Sequence, residues 1–149
     1  AEVAQITEKS LRDVLEVRGA LEELAVRLAC ERMTERALGE LNQAAEAFEK
    51  ILGDSDITAV AEADVAFHDV IYMATDNQRL IALLNNLREQ MYRYRVEYLK
   101  RRECHAQLLS EHQEIIAAIT NKEVERAVEV TCRHIDNQVE AVSDTIRQL

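Results

Sequence analysis

The chain has 149 residues, 48% of them hydrophobic, and carries a formal net charge of −10 from 18 basic and 28 acidic side chains. This is enough apolar content for the core of one domain and excludes a disordered tail. The acidic balance, with no basic stripe, excludes a strong grip on DNA or RNA by these residues. Proline and tryptophan are absent and there are three glycines; Ala, Leu, Glu, Arg and Gln dominate, so an almost wholly helical protein is expected. No apolar run approaches the roughly 20 residues that cross a bilayer, and no signal peptide is visible. Cys30, Cys104 and Cys132 are odd in number, widely spaced and free of any CxxC, which points to free, mostly buried thiols in a reducing cytosol.

The sequence begins at Ala1 and runs straight into helical pattern, as a piece of a longer protein would. A first helix is predicted over about 8–33, with Leu11, Val14, Leu15, Leu21, Ala25, Leu28 and Ala29 as its apolar stripe. Arg18 falls inside that stripe. Thr34 has the character of an N-cap for a second helix over about 35–52. Gly53 then stops it, and Asp54, Ser55 and Asp56 make a polar turn. A third helix over about 57–74 sets Val60, Asp64, Phe67, His68 and Ile71 on one face, and Asp76 and Asn77 turn the chain again.

The fourth helix, about 78–100, carries Leu80, Leu84, Leu87, Met91, Tyr94 and Tyr98. Near its end Arg93, Arg95, Lys100, Arg101 and Arg102 interleave with Tyr92, Tyr94 and Tyr98. Aromatics among bases can mark single-strand binding, but the overall acidity favours a solvated basic face. A break near 101–103 leads to a fifth helix reaching about 119, with Leu108, His112, Ile115 and Ile119 on its stripe. His105, near its start, reads as a surface or cap residue. Thr120 and Glu123 have capping-box spacing, which places the start of the sixth helix near Asn121. Ala127, Thr131, His134, Gln138 and Ala141 then share one line. Residues 1–149 thus form a single all-α domain, an antiparallel bundle of about six helices with short connections.

Four polar residues stand in apolar stripes: Asp64, His68, His112 and His134. Asp64 and His68 are spaced i, i+4 and project from one helix face. Burying one carboxylate and three imidazoles is costly without partners. Two accounts remain open: ordinary hydrogen-bonded core residues, or one shared divalent metal. Imidazole and carboxylate together suit zinc foremost, with nickel, manganese and iron also suitable. Arg18 needs a partner too. A bound carboxylate would match its guanidinium, as would a salt bridge to Glu22.

Leu15-Glu16-Val17-Arg18-Gly19-Ala20-Leu21-Glu22 resembles an E-x-R-x-x-L-E segment, Asp64-Val65-Ala66-Phe67-His68 a D-x-x-F-H motif, and Glu111 through Ile119 an E-H-x-x-I-x-x-A-I segment. Ala127 followed seven residues later by His134 fits a closing A-x6-H. Together these resemble the ligand-binding FCD domain of the FadR-type GntR transcription regulators, across nearly the whole chain and in the right order. The resemblance implies an antiparallel bundle around a central ligand cavity, with Asp64, His68, His112 and His134 holding one divalent metal at its floor. It implies that Arg18 helps to hold a small organic-acid effector, with Tyr98, Arg93 and Arg95 as further effector contacts. It also implies a homodimer whose DNA binding resides in an N-terminal winged-helix domain outside this chain.

The function expected is therefore a sensing domain, not an enzyme. A metal-dependent enzyme is the competing reading, but the stripes offer no spare general base: Glu111 adjoins His112 yet points about 100° away on the helix. A di-iron site would need Glu-x-x-His pairs, and no histidine here has a glutamate three residues before it. A plain helical interaction module is the third reading.

Overall fold

The computed structural model describes residues 7–53 and 56–147. Each of the first four helices starts where a short polar side chain takes up a free backbone N–H. Thr7 accepts from Ser10 N to open α1 (Glu8–Arg32). Thr34 accepts from Ala37 N at 3.0 Å to open α2 (Glu35–Ile51). Asp56 caps α3 (Ile57–Ala74) through the amides of Thr58 and Ala59; the Asp54 and Ser55 part of the expected turn lies outside the described residues. Asn77 accepts from Leu80 N to open α4 (Gln78–Leu99).

A 3-10 turn at Arg102–Cys104 forms the break before α5 (His105–Thr120), and α6 is Val124–Arg147. Three sequence expectations need correction here. Thr120 ends α5, and its hydroxyl donates back to Ile116 O at 2.7 Å. The chain turns through Lys122 in the left-handed region (φ 55°), and Glu123 O accepts from Ala127 N, so no capping box forms. His105 is buried rather than on the surface: its Nε2 bonds the Leu99 carbonyl at 2.7 Å and ties α5 to the end of α4. Of the cysteines, all free, Cys30 is buried while Cys104 and Cys132 are half-buried.

The described residues form an all-helical bundle. α1 packs against α6, α4, α3 and α5, while α2 covers α3 and α5. One apolar cluster contains Leu11, Leu15, Phe48, Val60, Ala61, Leu108 and Ile135. A second contains Ala29, Leu41, Phe67, Ile71, Ile115, Ala127 and Val130. Along α3 the sequence passes from the first to the second between Ala61 and Phe67, along α5 between Leu108 and Ile115, and along α6 between Ile135 and Val130. Asp64, His112 and His134 occupy those three crossing points, so the polar residues meet in a layer between two apolar ones. No helix among the described residues is long and apolar enough to cross a membrane.

Candidate functional site

The i, i+4 spacing on α3 aims Asp64 and His68 inward together, and α5 brings His112 to the same carboxylate. His112 Nε2 lies 3.0 Å from Asp64 Oδ1, and His68 Nε2 lies 3.5 Å from the same oxygen. One ligand-capable atom from each of Asp64, His68 and His112 falls within 4.8 Å of the others, and all three side chains are buried. His134 stands beside this group rather than within it, its ring centroid 5.6 Å from His68 and 6.3 Å from His112. The His112 ring lies against Phe67, centroids 3.9 Å apart and 12° from parallel.

Burial pushes the His68 imidazole down to about 4 despite the pull of Asp64, and it lowers His112 as well. Both rings are therefore neutral near pH 7, with a lone pair free to bond. Burial alone would raise the Asp64 carboxyl, but His68, His112 and Arg95 together hold it well below its ordinary value. His134 donates from Nδ1 to Glu111 Oε1 at 3.0 Å, and Asn137 Nδ2 donates to Glu111 Oε2 at 3.0 Å. The carboxylate fixes the ring's tautomer and leaves Nε2 as the lone-pair nitrogen.

Buried polar atoms in native proteins are nearly always partnered. Here His68 Nε2, His134 Nε2 and His112 Nδ1 have no hydrogen bond. The Asp64 carboxylate and the His68 and His112 imidazoles form a donor set that fits a divalent cation of the zinc, nickel, manganese or iron group, and the unpartnered Nε2 of His134 stands beside it.

A layer of buried charge adjoins the imidazoles. Arg95 Nε lies 3.1 Å from Asp64 Oδ2. The expected solvated basic face thus fails at Arg95, which turns inward, whereas Arg93, Lys100 and Arg102 are exposed. Arg18 donates from Nη1 to Gln138 Oε1 at 2.5 Å and stands 3.7 Å, Nε to Oε1, from Glu22. The Tyr72 hydroxyl donates to the same Glu22 oxygen. Burial raises the Glu22 carboxyl, but Arg18, His68 and Tyr72 outweigh it and lower it overall. Tyr98 is buried at 1% exposure, and that burial raises its phenol. A pocket of about 20 Å³ opens against Arg18, Glu22, His68, Tyr72 and Arg95; Arg93 and Tyr98 do not line it.

Glu22, Tyr72, Glu111 and Gln138 belong to this polar layer without being singled out by periodicity. Glu22 had a signal, its i, i+4 spacing from Arg18. Gln138 had one too, a polar side chain one turn beyond His134 in an apolar stripe. Tyr72 had none, because its partner lies on another helix; Glu111 stood out only as the acid that opens the Glu-His segment, with nothing to point it at His134 on α6.

The family model described as the FCD domain matches residues 13–137. Among curated proteins none matches the chain in sequence. Among solved structures, the chain is similar to E. coli McbR/YncC, with 18% identity and a TM-score of 0.87 over 96% of this chain and 72% of that one. It is similar to a GntR-family transcriptional regulator from Pseudomonas syringae pv. tomato str. DC3000, with 23% identity and a TM-score of 0.75 over 97% of this chain and 60% of that one. It is also similar to the metal-free FCD domain of TM0439, described as a transcriptional regulator, with 18% identity and a TM-score of 0.81 over 98% and 100% of the two chains. The chain spans only part of the first two of these proteins.

Proposed function

The chain belongs to the FCD domain family, and from that membership we propose that it is the ligand-sensing domain of a GntR regulator of the FadR type. In this reading Asp64, His68, His112 and His134 hold one divalent cation, zinc foremost. Bound there, the cation supplies a Lewis-acid position for an effector carboxylate. Arg18 holds the same carboxylate from α1, and Arg95 keeps Asp64 ionised and oriented. The exposed Arg93 and the Tyr98 phenol do not line this pocket and are given no part in holding the effector. The protein acts in the cytoplasm as a homodimer, reading DNA through a winged-helix domain outside these residues.

The observation that carries the proposal is the group of three buried ligand side chains with Arg18 close by. A pocket of about 20 Å³ holds about one water, so an organic acid can enter only if side chains or helices shift. Binding coupled to rearrangement is what a switch requires, with differential affinity for two states typically worth about 1–3 kcal/mol.

Three measurements test this. Elemental analysis of the purified protein should find about one metal per chain, and a chelator should lower the melting temperature. Calorimetry of the metal-loaded protein with small organic acids should give binding that Arg18→Ala abolishes. A metal-free protein whose melting is indifferent to added metal and chelator would reject the metal site, and the absence of any carboxylate binding would reject the sensor.

A further inference from the structure

Arg18 and Gln138 touch across 120 residues of sequence separation, and the contact leaves something over. The amide oxygen of Gln138 is taken by Arg18 Nη1, so its NH2 is the free end. That Nε2 and Arg18 Nη2 are both buried and without a hydrogen-bond acceptor. Gln138 follows His134 by one turn of α6, on the face that also presents the unpartnered Nε2 of His134. Two orphaned donors, one of them cationic, are what a carboxylate bridges.

Glu22 presents the opposite chemistry. It is 4% exposed and lines the same small pocket as Arg18, His68 and Arg95. The Tyr72 hydroxyl bonded to its Oε1 fixes its direction. An ionised carboxylate only accepts hydrogen bonds. A ligand that brought a second carboxylate or a keto oxygen against it would meet lone pairs with lone pairs, whereas a hydroxyl or amine would be bound.

Resting on the reading of Arg18 as the effector's anchor, we infer that Gln138 and Glu22 complete the effector site and set its ligand class. The ligand is a monocarboxylate with a hydroxyl or amino group next to the carboxyl. Arg18 and Gln138 Nε2 take the carboxylate, and Glu22 accepts from the neighbouring donor.

Lactate and pyruvate differ only in offering a donor or an acceptor at that neighbouring carbon, and malonate offers a second carboxylate. Calorimetry of the metal-loaded wild-type chain should show lactate binding at least ~10-fold tighter than pyruvate or malonate, as a mismatched buried polar group demands. In Glu22→Gln, whose amide both donates and accepts, the lactate-to-pyruvate ratio should shrink to roughly 3-fold or less. Gln138→Leu should weaken lactate and pyruvate alike, by about 10-fold. Pyruvate or malonate binding wild type as tightly as lactate overturns the inference with no variant needed. A ratio unmoved by Glu22→Gln, or lactate affinity unmoved by Gln138→Leu, also overturns it. Each of those results leaves carboxylate sensing intact, whereas no binding of any of the three acids removes the sensor reading itself.

Discussion

Arg95 Nε lies 3.1 Å from Asp64 Oδ2, while the other oxygen of the same carboxylate lies 3.0 Å from His112 Nε2. A fully buried acid is thus shared between a guanidinium on α4 and an imidazole on α5. Breaking such a pair leaves one buried charge without its counterpart, which costs about 3–5 kcal/mol. Asp64→Asn and Arg95→Met should each destabilise the metal-free protein on that scale in urea denaturation. The double variant should be milder than the sum by more than about 1 kcal/mol. Strict additivity would mean that the two groups do not share charge.

Glu111 accepts from His134 Nδ1 at 3.0 Å, so it would act on a cation bound at the proposed site only through that ring. Removing such a support typically weakens metal affinity about 10- to 100-fold. Glu111→Ala should do so in a chelator-competition titration, and Glu111→Gln, which still accepts through its amide oxygen, should recover part of the loss. Equal affinity in wild type and both variants would show that His134 needs no such support or is not a ligand.

Acid should destabilise the metal-free protein. The His68 imidazole has an ordinary value of 6.5 and is pushed by burial to about 4 in the fold; His112 is lowered for the same leading reason. Between those two values the unfolded chain takes up protons that the native chain refuses, so stability rises with pH across the window. The contribution is therefore whole above pH 6.5 and is lost as pH falls toward 4. Asp64 and Glu22, held below their ordinary 3.8 and 4.5, add losses of the same sign at lower pH. Urea midpoints at pH 7, 6 and 5 should decline in that order, and a flat series would contradict the burial of neutral imidazoles. Metal affinity should fall below about pH 6, because protonated imidazole cannot coordinate.

Phe67 is fully buried and stacks on His112. Phe67→Ala removes both core volume and the wall that holds the ring. A loss of about 3–5 kcal/mol in thermal or urea unfolding is expected, with weaker metal binding measured on the protein that remains folded. A loss below ~1 kcal/mol would mean that the site collapses freely around the gap.

Helix limits were legible wherever a local rule set them. Thr34, Asn77 and the apolar stripes carry their information within one or two turns of chain, and the break near Arg101 emerges as the 3-10 turn at Arg102–Cys104. The capping box at Thr120 failed because Lys122 takes a left-handed turn, an outcome the Thr–Glu spacing alone does not exclude. For the site, the stripes brought out Asp64, His68, His112, His134 and Arg18, since a polar residue in an apolar period is conspicuous. Partners were another matter. Arg95 for Asp64, Glu111 for His134 and Gln138 for Arg18 are pairings between helices, set by how the helices rotate against one another, and no periodicity within one helix encodes that.

Arg18 on the first helix meets Gln138 on the last, and α1 and α6 lie side by side. A chain leaving the ribosome must therefore leave the α6-facing side of α1 bare until α6 has been synthesised, though α3, α4 and α5 can already pack on its other faces. Contacts of such long range close late and slowly, so a product cut short before Val124 would leave the Leu11–Leu15 edge uncovered and exposed to aggregation.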